Sequence, residues 1–364
     1  MGGKRYCNEA QAAATSSRPQ KKVHHEPRNT RSHDSYTVAW ICALSIEMSA
    51  ARAMLDEVHE GLAQDAKDIN CYELRRIGKH NVAIACLPNG KYGTNNAATV
   101  FTNMTQTFKN IQLGLMVGIR GRAPSKVDLR LGDIVVASEV IQHDIGKSIG
   151  DGLFQRTPIH WRVHNSIGTV MSSLQSKHAC GSSRVPSILQ EMSEKFEAFK
   201  RPVTADRLFI ATYQHESSRP DCVGCNQSKL IQRGLRDSND PVIHYGAIAS
   251  VLCFEMEAAG LMEICLCLSV RGICDYSDSH KTKEWQSFAA VTAATYAREF
   301  LEELPVCKDL SRQPSGAFRL EEKDNKCLRD LHITNPQDNK ETIIKAKGGL
   351  LIESYIWVMK NENY

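Results

Sequence analysis

An α/β fold, with a mixed central sheet and helices on both faces, is predicted by two features of the sequence. Short apolar runs of strand length alternate with longer segments whose apolar residues recur at helical spacing. Several of those runs end on a glycine or an acidic residue, as strands do at the carboxyl edge of an open α/β sheet. Composition agrees. Of 364 residues, 42% are hydrophobic and 24% charged, which supports a sizeable core and excludes a disordered chain, a collagen or a coiled coil.

Residues 1–35 carry Ser, Arg, Lys and His without apolar periodicity and are expected to be a disordered basic tail. Order begins with Tyr36–Ala43, an apolar run suited to a buried strand. It passes into Ile46–Leu55, where Ile46, Ala50, Ala51, Met54 and Leu55 fall at helical spacing. Two alternating runs, Tyr72–Ile77 and Val82–Leu87, flank Gly78-Lys-His-Asn81 and read as a hairpin. Gly90 and Gly93 precede a helix over Thr94–Phe108, Leu113–Gly118 is another buried strand, and Gly132-Asp133 opens a strand at Ile134–Ala137. The polar, Ser-rich stretch 150–240 gives no clear pattern. Then follow the apolar run Val242–Cys253, a helix over Met256–Leu266, a strand over Leu268–Cys274 and a helix over Lys283–Leu304. One domain is therefore expected over 36–304, a polar linker over 305–325 and a short segment, charged early and apolar late, over 326–364.

Some function classes drop out. The most apolar stretch, Val251–Val270, carries Glu255, Glu257 and Glu263, so no membrane span is expected. With 45 Lys and Arg against 41 Asp and Glu, the signs are mixed and no nucleic-acid partner is expected. No apolar signal core opens the chain, and many of the 13 cysteines sit in apolar segments, so a reduced, cytoplasmic protein is expected. Cys222 and Cys225 form a CxxC with no second pair at zinc spacing, so no metal site is expected.

Candidate chemistry falls at the strand ends. Glu47 follows the first strand, Glu255 and Glu257 open a helix, Asp275 and Asp278 follow the strand Val270–Cys274, and Asp133 opens another. Each has a structural alternative. Glu47, Glu255 and Glu257 fit first-turn carboxylates facing helix N–H groups, and the aspartates fit caps and turns. The stretch Gly118-Ile-Arg-Gly-Arg122 offers backbone N–H groups, or Arg120 and Arg122, to an anion, although it matches neither GxGxxG nor GxxxxGK[ST].

Taken in order, Thr37–Glu47, Leu115–Ile119, Leu131–Val136, Phe254-Glu-Met-Glu-Ala-Ala-Gly260 and Arg271–His280 resemble the nucleoside phosphorylase and nucleosidase superfamily. They are more closely similar to the phosphorylase-like domain at the N-terminus of fungal NACHT- and ankyrin-type receptors. Cys327-Leu-Arg-Asp-Leu331 with Lys347-Gly-Gly-Leu-Leu351 resembles the lead-in to a NACHT NTPase, here stopping before any such core. The resemblance implies a nucleoside phosphorylase-like fold and cleavage of the N-glycosidic bond of a purine nucleoside or nucleotide. Asp275 would protonate purine N7, Met256 and Glu257 would hold the ribose, and Glu47 would activate water. Glu255, Gly118, Ile119 and Gly93 complete the implied substrate site. Phosphorylases of this kind carry an Arg and a Ser where Val117 and Ile119 stand, which favours water over phosphate as acceptor. No cofactor is implied, with phosphate the alternative co-substrate and a homo-oligomer the implied assembly.

Two departures from the family pattern lower the expected activity. Arg120 and Arg122 replace a glycine-rich run, and Ser250 meets Val251 where relatives carry a further segment that helps to build the base pocket. The expectations are weak N-glycosidase activity or, alternatively, a catalytically silent sensing or docking module.

Overall fold

A computed structural model describes residues 31–122, 127–142, 146–149, 154–215, 222–248, 253 and 257–306. The basic tail up to residue 30, Glu255, Met256, the Ser250–Val251 junction and everything beyond Val306 lie outside the described residues. All elements below belong to the unit that begins at His33.

Along the chain come β1 (Val38–Cys42), α1 (Ser45–Ala53), β2 (Glu57–Val58), β3 (Tyr72–Ile77), β4 (His80–Cys86), α2 (Thr94–Thr107), β5 (Leu113–Gly121) and β6 (Ile134–Gln142). Next are β7 (Gly146–Ser148), β8 (Phe154–Arg156), β9 (Ile159–Arg162), α3 (Asn165–Ala179) and α4 (Val185–Lys195). The last elements are β10 (Ile243–Ile248), α5 (Ala258–Met262), β11 (Cys267–Asp275) and α6 (Gln286–Glu303). Nine described strands form one sheet, in the order β10–β6–β11–β5–β1–β4–β3–β2, with β9 also on β6. The central strands β4, β1, β5 and β11 are parallel, whereas β6 runs antiparallel to β11 and β3 antiparallel to β4. The sheet is therefore mixed, with helices, as the sequence predicts.

Burial explains why the central strands read as unbroken apolar runs. Every residue of β1 and all but the last of β11 are buried, so both faces must be covered. On one face lies α6, buried on all sides from Phe288 to Ala297. It approaches so closely that a Cβ on Gly272 would overlap the carbonyl oxygen of Ala289. Helices α1, α3 and α4 pack on α6, while α2 and α5 pack on each other. Side chains alternate along a strand, so Arg271 points away from the α6 face that Gly272 occupies. That alternation positions the site.

The middle region holds what composition concealed. α3 buries Ile167, Val170, Met171 and Leu174, and α4 buries Val185, Ile188, Leu189 and Met192, each a single apolar stripe on an otherwise polar helix. The helix expected over Met256–Leu266 is shorter where described: α5 ends at Met262, because the chain must turn through Glu263–Leu266 to enter β11. The glycine stretch after Leu113–Gly118 is not a loop but the continuation of β5 to Gly121.

Candidate active site

Because β1, β5 and β11 are parallel, their carboxyl ends share one edge of the sheet. The chain leaves β1 through Ala43 and Leu44 and starts α1, whose third residue is Glu47. Its Oε2 accepts hydrogen bonds from the N–H groups of Ala43 (2.6 Å) and Leu44 (2.9 Å), which satisfies donors at the helix start. Its Oε1 accepts from the N–H of Ile119, 2.8 Å away on β5. Glu47 is 3% exposed. One oxygen thus does the structural work of a first-turn carboxylate, and the other ties the helix to the neighbouring strand end. The Ile119 N–H read as an anion donor is already taken by this carboxylate. Gly118 makes the arrangement sterically possible: a Cβ there would overlap Glu47 Oε1 and lie 2.7 Å from Arg271 Nη1.

Glu257, immediately before α5, has no exposed surface. Its Oε1 accepts from the N–H of Gly93 at 3.3 Å, the residue that opens α2 with φ of +97°. Its Oε2 forms an ion pair with the guanidinium of Arg120 and lies 3.9 Å from Nη2 of Arg271, which is also fully buried. Buried charges persist when they are paired, and this cluster pairs Glu257 with two arginines. Sequence reasoning missed Arg271 as a site residue. The available signal was a charged residue inside the apolar run Leu268–Cys274, where burial demands a partner.

Asp275 ends β11 in register with Gly121 on β5, after an irregularity between Ile273 and Asp275. Its Oδ1 accepts from the N–H of Ser277 (2.8 Å) and its Oδ2 from the thiol of Cys274 (3.2 Å). Ser277 sits at φ of +53°, a left-handed conformation uncommon outside glycine, which the Asp275 turn holds in place. Burial, then the Asp275 carboxylate, push the Cys274 thiol well above its ordinary range. Three residues on, burial raises Asp278, although the N–H of His280 bonds to its carboxylate.

Glu47, Glu257 and Asp275 therefore stand at one edge, with Gly93, Gly118 and Ile119 between or beside the first two. Asp133 does not join them. It is 1% exposed and holds Arg236 (2.6 and 2.7 Å), His244 (3.0 Å) and the N–H of Arg130 (2.8 Å), a clamp between the start of β6, β10 and the segment before β10. The arginines that kept a phosphate acceptor open are engaged within the protein. Arg120 pairs with Glu257, while Arg122 donates to the carbonyl of Val127 (2.9 Å) and lies over the ring of Tyr276.

No family model matches the chain. It is 40% identical over 297 residues to a nucleotide-binding leucine-rich repeat (NLR)-like protein of Hyaloscypha variabilis, covering 74% of this chain and 29% of that protein. The chain thus spans less than a third of that relative's length. It is 23% identical over 283 residues to a 5′-methylthioadenosine/S-adenosylhomocysteine nucleosidase of Mycobacterium bovis, covering 74% of this chain and 97% of that one. To the ATP nucleosidase Cap17 of Escherichia coli it is 26% identical over 222 residues, 58% of this chain and 39% of that protein. Among solved structures, an S-adenosylhomocysteine nucleosidase from Streptococcus pyogenes in complex with 5-methylthiotubericidin superposes with a TM-score of 0.48 at 17% identity, covering 75% of this chain and 98% of that chain. The chain is homologous to a fungal NLR-like protein and, more distantly, to the methylthioadenosine/S-adenosylhomocysteine nucleosidases.

Proposed function

We propose that this edge is an N-glycosidase site for a purine nucleoside or nucleotide, with water as acceptor, and that in this chain it works weakly. The observation that carries the reading is that Glu47 and Asp275 follow the parallel strands β1 and β11 at one edge, where Glu257 pairs with Arg120 at the end of β5. The residue types suit the chemistry. A departing purine must be protonated, a role for Asp275 as general acid. The ribosyl cation that develops is stabilised by nearby carboxylates, which Glu257 and Glu47 supply. Glu47, held from three sides by backbone N–H groups, is fixed well enough to orient an attacking water. Relatives named as nucleosidases of methylthioadenosine, S-adenosylhomocysteine and ATP support a purine substrate.

A specific contact favours the second reading, a silent sensing or docking module as in an NLR-like receptor. Arg120 takes the Glu257 oxygen that ribose hydroxyls would need, and Arg271 backs it. Replacing Arg120 with glycine removes the competing cation. The test is chromatography for free base after incubating the chain and Arg120→Gly with adenosine, inosine and ATP, with and without phosphate. The N-glycosidase reading expects slow, phosphate-independent release that rises at least about tenfold in Arg120→Gly, or roughly 1.4 kcal/mol of barrier. Adding Asp275→Asn to that variant is expected to cut release by about 10²–10⁴. No base from either folded protein would leave the docking module standing, and release that requires phosphate would overturn water as acceptor.

A further inference from the structure

From the geometry around Cys222 and Cys225 we infer a zinc-binding site formed by His215, Cys222 and Cys225, with a fourth position open to water. The ligand atoms of His215, Cys222 and Cys225 all lie within 4.8 Å of one another. Groups bound about 2.0–2.3 Å from one tetrahedral ion stand roughly 3.3–3.8 Å apart, so the cluster needs only a small contraction. Both cysteines carry free thiols rather than a disulfide, with Cys225 buried and Cys222 half-buried. A mixed imidazole and thiolate set suits zinc, whereas calcium and magnesium take oxygen ligands.

The surroundings are organised around the same point. Cys222 opens a short turn closed by the Cys225 N–H on its carbonyl (3.3 Å), and Arg207 donates to that carbonyl (3.1 Å). The N–H of His215 bonds to Ser279 Oγ at 2.9 Å, and the Cys222 thiol lies 3.9 Å from the carbonyl of His280. The buried His280 lies beside the cluster. Its side chain is 4% exposed, and neither ring nitrogen has a hydrogen-bond partner among the described residues; the Asp278 carboxylate is 3.8 Å from Nδ1. Its ring stacks on those of Phe209 and Tyr213, which also touch each other, and stands 5.4 Å from that of His215.

Zinc here would hold His215 to the turn of Cys222 and Cys225, beside the turn that follows Asp275. Binding replaces the two thiol protons with the ion, leaving thiolates, and needs no redox partner. The site does not depend on the N-glycosidase reading, and its test reads metal rather than turnover. Full-length protein, purified under reducing conditions and desalted, is expected to hold one zinc ion per chain by elemental analysis. Its cobalt-substituted form should show thiolate-to-cobalt charge transfer and tetrahedral d–d bands. Cys222→Ser and His215→Ala are expected to lose at least about tenfold in zinc affinity. His215→Cys should retain the metal, and Cys180→Ser, at an exposed cysteine elsewhere, should leave it unchanged. Should Cys222→Ser fail to fold, the cobalt spectrum of the unaltered chain still decides. Absence of stoichiometric zinc after reconstitution, an octahedral cobalt spectrum without thiolate bands, or full zinc retention in folded His215→Ala and Cys222→Ser would each overturn the site.

Discussion

Glu47 holds the start of α1 and the end of β5 with one carboxylate, and it can do so only because position 118 lacks a side chain. Gly118→Ala would push the carboxylate off the N–H of Ile119 or displace the buried Arg271. Leaving such a buried donor without its acceptor costs about 1–3 kcal/mol, so a lower urea midpoint with an unchanged slope is expected. An unaltered midpoint would mean that the edge has slack that the contacts do not show. The double duty also bears on what the sequence disclosed. Glu47 was legible as a carboxylate at a strand end, but spacing alone could not separate helix capping from chemistry, and the structure shows the capping directly. Arg120 was legible as a departure from a glycine-rich run. Its partner, Glu257, lies far along the chain, and no local pattern encodes an ion pair of that range.

At the scale of elements, β1, β5 and β11 were readable because their residues are buried on both faces almost throughout and the runs are mostly apolar. α3 and α4 were not, because each buries one stripe and surrounds it with Ser, Gln and Lys. The place of His215 beside the CxxC was equally hidden, since no short spacing marks it. The clamp between β6 and β10 gives a pH dependence. Burial alone would raise Asp133, but hydrogen bonds from Arg236, His244 and the Arg130 N–H outweigh it and hold the carboxyl below its ordinary value. A depressed folded value means that the stabilisation is complete above the unfolded value near 3.9 and fades as pH falls through the lower folded one. Asp133→Asn is therefore expected to cost about 2–4 kcal/mol at neutral pH, toward the low end because Arg236 is partly solvated, and nothing at strongly acid pH. Chemical unfolding at neutral pH and below pH 3 checks this; an equal loss at both would sink the electrostatic account.

Across the whole molecule, the strand order matters more than any single contact. β11 is the last of the described strands in sequence, yet it lies between β5 and β6. It also carries Arg271 and Asp275, so β11 completes both the described sheet and the proposed site. Removing it should be catastrophic rather than graded. A chain ending at Leu266 is expected to lack a cooperative melting transition by calorimetry, and a sharp melt would contradict the central place given to β11. The same order has a cost during synthesis. Open strand edges invite association with other chains. Until the ribosome has made Asp275, the edge of β5 and the Ile134–Val136 edge of β6 have no β11 to pair with. At roughly 5–20 residues per second, the stretch from Gly121 to Asp275 takes about 8–30 s to emerge. The nascent chain's exposure to aggregation is thus timed by translation, whatever the stability of the finished fold.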